Sequence, residues 1–436
     1  MIYMHLLLLV ATVVLAARLG GIGVGLAGGV GMSIAVFGFG LEPGKMPISV
    51  LLIILSVILA LAVMQRAGGL DYMVKVAERL LRNNPKYINV LAPLTTFVLT
   101  VLSGTQYTTL SILNVIQQVA KSTNVRPSQP LTASVVACQV AITASPISAA
   151  TAAMWVVVEQ MGVSFGSVLA VIIPTGFVAA CVATFVAVRQ GCDLLDDPIY
   201  KARLESGQLE QVQLSEDKTP DAPEAKRSVL IFLASVVFIV IMLMFKKVIG
   251  HGLGSRDLIV ITMFVSALIT AFACKVDLKT IKKASVLADG AESLIVILGI
   301  AWLSGTVIGA HIPEIKAQAG IWLEAYPMLL ALIFWITSAA LFSHGATSAL
   351  LIPIAGSMGI SPEFIVGSFV AMSAMYITNI YPTSAFAIST DDTGSYESKR
   401  WNGSRFFNHP FILPGISGIL VAVPFGFMLA SIFIAS

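Results

Sequence analysis

The chain has 436 residues, of which 57% are apolar and only 11% charged, with a formal net charge of +3. Water-soluble domains are about a quarter charged, so this composition excludes a soluble globular protein and requires a surface that faces lipid. No basic run is interleaved with aromatics, which leaves nucleic-acid binding without support. The scattered Cys138, Cys181, Cys192 and Cys274 offer no CxxC and no Cys/His cluster, which argues against a disulfide framework or a structural zinc.

In chain order, the first apolar stretch, Met1–Ala17, lacks a positive n-region, and its first basic residue, Arg18, follows the run. That order predicts a retained helix with its N-terminus outside rather than a cleaved signal. A crossing needs about 20 apolar residues. Uninterrupted candidates are His5–Ala17, Ile22–Gly40, Ile48–Met64, Gly166–Val188, Val229–Val248, Leu258–Cys274, Leu294–Ile308 and Phe411–Ile434. At the start of the second of these runs, Gly21, Gly25 and Gly29 form a small-residue stripe that suits close helix approach, either to a second protomer or within one. Before the next apolar run, Leu70, Met73, Val74, Ala77 and Leu81 fall on one helical face opposite Asp71, Lys75, Glu78 and Arg82, which predicts a helix lying in the membrane interface.

Four apolar stretches are interrupted by polar, Gly/Pro-rich residues: 87–120, 131–158, 327–357 and 361–390. Basic residues flank 87–120 on both sides, which predicts a re-entrant hairpin with its tip at Ser103-Gly104-Thr105, followed by one broken helix. The same pattern in the second half gives ten crossings and two hairpins, with the alternative of twelve full crossings. In the ten-crossing arrangement only Lys45, Lys246, Lys247, Arg256 and Lys316 of the 26 lysines and arginines lie outside, a bias that supports it and places both termini outside. Residues 1–189 and 228–436 then form two inverted repeats, joined by a cytoplasmic linker at 190–227 with a short helix near Pro198–Leu209. The landmarks repeat: Pro85 to Ser103 is 18 residues and Pro327 to Ser343 is 16. The predicted fold class is therefore an all-α polytopic membrane protein of two inverted repeats with helices broken at the midplane.

Irregular backbone at membrane depth is tolerated only where it lines protein or a water-filled cavity, so four breaks from two repeats mark a site. Exposed helix N-termini with small hydroxyl residues favour an anion there. The candidate binding residues are Ser103, Gly104 and Thr105 at the first tip, and Thr143, Ser145, Pro146 and Ser148 at the first break. Ser343, His344, Gly345 and Thr347 stand at the second tip, and Asn379, Pro382, Thr383 and Ser384 at the second break. His344 could hold a carboxylate, titrate, or cap a helix. No lysine or arginine falls within a predicted span, and no aspartate or glutamate sits mid-span, so neither a buried cationic clamp nor a carboxylate proton relay is expected. No cofactor is called for, and coupling to Na⁺ or H⁺ is left open. No HExxH, mid-membrane aspartate pair or Ser/His dyad suggests an enzyme.

At Ala17–Gly23, Ala67–Tyr72, Leu80–Tyr87, Ala141–Ala150, Asp196–Tyr200, Asn408–Phe411 and Pro414-Gly415 the chain resembles the anaerobic C4-dicarboxylate (Dcu) transporter family, on its DcuA rather than its DcuB side. The resemblance runs over the whole length. It implies exchange or uptake of fumarate, succinate, malate and L-aspartate across an inner membrane. Through wider similarity to carriers with paired hairpins, it also implies a homodimer and an elevator-like mechanism. The family's second tip carries Ser-Gln-Ala-Ala where this chain has Ser343-His344-Gly345-Ala346. The DcuB type has a lysine shortly before that tip, in the neighbourhood of Ser338 here. Another organic anion such as citrate or gluconate, or an anion channel, is the alternative.

Overall fold

A computed structural model describes residues 2–19, 22–44, 46, 48–209, 222–244, 253–315, 326, 328–379, 381–397 and 408–434. Pro327, Gly21, Ile380 and most of the linker's middle lie outside these residues.

The described residues are helical. Eight helices are long and apolar enough to cross a membrane: Ile48–Arg66, Pro85–Ser103, Ser128–Val158, Phe165–Ala187, Pro223–Leu243, Ser255–Ala273, Ser285–Gly309 and Ile412–Phe433. Ile2–Ala16, Ile22–Gly38 and Met328–Leu341 are shorter apolar helices. The helices are named in chain order, beginning with α1 (Ile2–Leu19), α2 (Ile22–Ser33, ending in a π turn at Ile34–Gly38) and α3 (Ile48–Arg66). Next come α4 (Gly69–Asn83), α5 (Ile88–Ser103), α6 (Tyr107–Ser122), α7 (Ser128–Ala144), α8 (Ala149–Val158) and α9 (Phe165–Ala187). The second half holds α10 (Pro198–Glu205), α11 (Pro223–Met244), α12 (Ser255–Ala273), α13 (Ser285–Val296, then a π turn at Ile297–Ala301) and α14 (Trp302–Gly309). It closes with α15 (Met328–Leu341), α16 (His344–Ser357), α17 (Pro362–Gly367), α18 (Pro382–Thr390) and α19 (Ile412–Phe433).

The breaks fall where local chemistry forces them. After α7, Pro146 holds Ser145 in an extended conformation (φ −80°, ψ 126°), as a residue before proline prefers. Helix α8 then starts because Ser148 accepts a hydrogen bond from the Thr151 N–H at 3.1 Å. The second broken element is more fragmented than a single interruption. Helix α17 passes into two 3₁₀ turns, Phe369–Met372 and Met375–Ile377, before Pro382 opens α18 at its first turn. Between α5 and α6 the chain turns at Gly104, which ends α5 in the left-handed region (φ 65°). A Cβ there would also press to 3.0 Å on the Ile147 side chain at the start of α8. Only Phe342 and Ser343 separate α15 from α16, and Phe342 is held at φ 49°, a strained position for an aromatic residue.

Packing follows burial. Every residue of α7 is buried, and it lies between α5 and α9, with α19 against α9. On the other side α3 packs on α12 and α13, and α2 lies on the π turn of α13. The predicted apolar face of α4 is largely turned inward: Leu70, Met73, Ala77 and Leu81 are buried, against α6 and α11, while Val74 is half-buried. Of the small-residue stripe, Gly25 packs within the chain against Ile295 and Gly29 faces open space, while Gly28, outside the stripe, packs against Gly299. Helix α13 begins nine residues earlier than the apolar run at Leu294 suggests, so Glu292 lies inside a 25-residue apolar helix.

Candidate functional site

Helices α6, α8, α16 and α18 begin at one place, around a cavity of about 530 Å³, within the range usual for small-molecule sites. Gly104, Thr105 and Gln106 line it ahead of α6, and Ile147, Ala149 and Ala150 line it at the start of α8. Ser343, His344, Gly345 and Ala346 line it at α16, and Tyr381, Pro382 and Thr383 at α18. Two of these N-termini approach closely: a Cβ on Gly345 would stand 3.4 Å from that of Ala149. Each helix start presents the positive end of its dipole, so the cavity wall favours negative charge.

Of the residues singled out from the sequence, Gly104, Thr105, Ser343, His344, Gly345, Pro382 and Thr383 line this cavity. Ser103, Thr143, Ser145, Pro146, Ser148, Thr347, Asn379 and Ser384 are not among its lining residues, and hydrogen bonding explains most of the division. Ser103 donates to the Thr105 carbonyl at 3.0 Å, Thr143 to the Val140 carbonyl at 2.8 Å, and Ser145 to the Val101 carbonyl at 2.8 Å. Thr347 donates to the Ser343 carbonyl at 2.7 Å, and Ser343 caps α16 by accepting from the Ala346 N–H at 3.1 Å. Of these residues Ser343 lines the cavity, and the hydroxyls of the others are bonded to main-chain carbonyls. Pro146 borders a smaller apolar void beside Trp155 and Phe165. Ser384 is buried, and its Oγ has no hydrogen-bond partner among the described residues.

His344 is 5% exposed; its ring hydrogen-bonds the main chain of Gln139, and its Nε2 has no partner among the described residues. Gln139 in turn donates from Nε2 to Thr383 Oγ1 at 3.4 Å, which links α7, α16 and α18 beside the cavity. Gln106, Arg18 and Glu292 also line the cavity and were not among the predicted residues. Gln106 directly follows the predicted tip, a polar residue in an apolar run, and could have been included on that ground. Arg18 is exposed at the last turn of α1, so it is not a buried cationic clamp, and Glu292 is half-buried on α13. Arg18 and Glu292 are the basic and acidic lining residues among those described.

The family model for the anaerobic C4-dicarboxylate membrane transporters matches residues 1–434. The chain belongs to this family. It is 41% identical to the C4-dicarboxylate transporter DcuA of Wolinella succinogenes over 99% of this chain and 100% of that protein. It is 42% identical to the DcuA of Escherichia coli K12 over 99% of both, and 31% identical to the DcuB of Escherichia coli O6:H1 over 98% of both. The protein is therefore a multi-pass membrane transporter of the C4-dicarboxylate family and not an enzyme.

Within this transporter, hydroxyls spent on the backbone and groups facing the cavity should separate by experiment. Ser148→Ala removes the cap of α8, which costs about 1 kcal/mol, and should lower the thermal midpoint in detergent by a few degrees. Uptake should keep its half-saturating concentration, because Ser148 Oγ is already bonded to the Thr151 N–H and Oγ1, each at 3.1 Å. A raised half-saturating concentration with an unchanged midpoint would place Ser148 in the site instead.

Proposed function

We propose that this transporter carries fumarate, succinate, malate and L-aspartate across a bacterial inner membrane, by exchange or by cation-coupled uptake. The observation that carries this reading is the meeting of four helix N-termini at one cavity, a wall that suits two carboxylates held apart by a short carbon chain. His344 at the second tip is a further donor for one of them. Glu292, the acidic residue among the described lining residues, would draw a coupled proton or Na⁺ toward the same space.

The architecture behind this reading is two inverted repeats, residues 1–189 and 228–436, with α5–α6 and α15–α16 as re-entrant hairpins. Support comes from reciprocal packing: α6 of the first half lies on α18 of the second, and α16 of the second lies on α8 of the first. Each hairpin's returning helix is thereby set against the other half's broken element, as an inverted repeat requires. Both termini lie outside and the linker inside, two protomers form a dimer, and the hairpin-bearing unit moves the solute in an elevator-like step.

The decisive experiment is counterflow in proteoliposomes. Vesicles preloaded with unlabelled succinate should take up labelled L-aspartate and fumarate in a saturable manner, and unloaded vesicles should not unless a cation gradient is imposed. Entry that is unsaturable and indifferent to internal solute would mean a channel. Absence of entry for every C4 acid would end the dicarboxylate reading.

A further inference from the structure

The polar groups around the cavity divide into those already satisfied by the protein and those that are not. Ser103, Ser145, Ser148, Ser343 and Thr347 are all spent on main-chain partners. Gln106 is different. It is 9% exposed, it lines the cavity immediately before α6, and neither Oε1 nor Nε2 has a hydrogen-bond partner among the described residues. An enclosed amide left without partners at both ends is expensive, and such groups in folded proteins have a ligand, an ion or ordered water to account for them. His344 Nε2 also lacks a partner among the described residues and lines the cavity, but one ring nitrogen either donates or accepts and cannot do both. Gln139 Oε1 and Ser384 Oγ lack partners too, yet neither residue is among those lining the cavity.

A glutamine amide offers one face that donates and one that accepts. An unsubstituted C4 diacid presents acceptors only, so it can satisfy Nε2 and leaves Oε1 orphaned. A diacid with a 2-amino or 2-hydroxy group presents a donor next to its carboxylate, and satisfies both ends of one amide at once. A buried polar group that finds its partner in one solute and loses it in an analogue discriminates strongly between them. We infer that Gln106 is the specificity-determining residue of this site, and that it sets a preference for 2-substituted C4 dicarboxylates over unsubstituted ones. This rests on the dicarboxylate reading of the cavity and adds the substrate subclass to it. Gln106 follows Gly104, whose left-handed turn and contact with Ile147 seat the tip on the start of α8, so the amide is carried by a well-supported element.

The test is competition against labelled fumarate uptake in proteoliposomes, with unlabelled L-aspartate, L-malate and succinate as competitors, for wild type and two variants. Gln106→Met keeps the side chain's length and removes both polar ends. It should raise the half-inhibitory concentration of L-aspartate and L-malate about tenfold or more, and that of succinate by less than about threefold. Gln106→Glu keeps acceptors, loses the donor and adds a charge that repels carboxylates. It should therefore weaken succinate more than L-aspartate, whose ammonium group it still attracts. This reversed order is one that a merely structural role for Gln106 would not produce, and it stands even if the methionine variant is recovered in poor yield. Equal shifts for all three acids in both variants, or no shift in either, overturn the inference. Uptake of fumarate by wild type that no C4 acid inhibits strikes at the functional reading itself, and the inference falls with it.

Discussion

Gly299→Leu is expected to abolish recovery of folded transporter, whereas Gly29→Leu on the neighbouring helix is expected to leave it intact. The two main chains meet without side chains between them. A Cβ at Gly299 would lie 2.0 Å from the Gly25 carbonyl oxygen, one at Gly25 would lie 2.3 Å from the Ile295 carbonyl oxygen, and one at Gly28 would lie 2.4 Å from the Gly299 carbonyl carbon. All of these are main-chain atoms, which cannot rotate away as a flexible side chain can. Overpacking in a core costs about 1–3 kcal/mol when side chains can shift, and here α2 must separate from the π turn of α13 along the whole contact. Separation would also disturb α16, which packs on the same π turn and carries His344 into the cavity. Gly29 has open space around it, so the same leucine there is an ordinary surface change of within about 0.5 kcal/mol. Fluorescence-detected size exclusion and thermal unfolding of both variants read this directly. Equal yield and equal midpoints would mean that the close approach of α2 and the π turn is not needed for folding.

Arg126→Ala should destabilise the protein by about 3–5 kcal/mol, the cost of leaving a buried charge without its partner. Arg126 stands between α6 and α7, and its Nη1 lies 2.6 Å from Asp197 Oδ2, with both side chains almost fully enclosed (8% and 2% exposed). The contact is a close approach of opposite charges rather than a well-aligned hydrogen bond, since Asp197 Oδ2 has no hydrogen-bond partner in donor geometry among the described residues. The guanidinium also donates from Nη2 to the Ser395 carbonyl at 2.7 Å and from Nε to Ser128 Oγ at 3.2 Å. It thus ties α7, the linker helix α10 and the loop after α18 together. Asp197 meanwhile caps α10 through Oδ1, which accepts from the Ile199 N–H at 2.9 Å. Asparagine can keep that cap, so adding Asp197→Asn to the Arg126→Ala background should recover part of the lost stability. Arg126→Lys should not substitute, because one ammonium cannot reproduce the fork that reaches Asp197, Ser395 and Ser128 together. A double-mutant cycle on thermal midpoints measures the coupling, and simple additivity of the two changes would show that the pair is not a unit.

Much of the fold was legible without coordinates because the bilayer imposes it. Apolar runs long enough to cross must close their own backbone hydrogen bonds, so Ile48–Arg66, Phe165–Ala187 and Ile412–Phe433 follow from composition alone. The breaks were legible too. Pro146 and Pro382 lack an N–H and bias the residue before them away from helix, and Ser148 and Ser343 are helix caps by type and position. Glu292 was missed for a plain reason: Asp289 and Glu292 dilute the hydropathy of the segment before Leu294, and only the continuous helix from Ser285 puts the carboxylate inside.

The sequence by itself determined that this is a multi-pass membrane protein of the C4-dicarboxylate family, with polar interruptions at corresponding places in its two halves. Hydropathy, length and proline chemistry act locally and suffice for the spans and their interruptions, whereas the family followed from the resemblance of strings such as Ala141–Ala150. Tertiary structure alone decided what each hydroxyl at the breaks does, since the bonds of Ser145 to Val101 and of Ser348 to Ala150 at 2.7–2.8 Å join segments far apart in the chain. It also decided that Gly25 and Gly28 serve packing within the chain, and that Gln106 and His344 come to line one cavity. Residue type tells which groups can make a hydrogen bond, but whether a partner is already in reach depends on how distant segments are brought together.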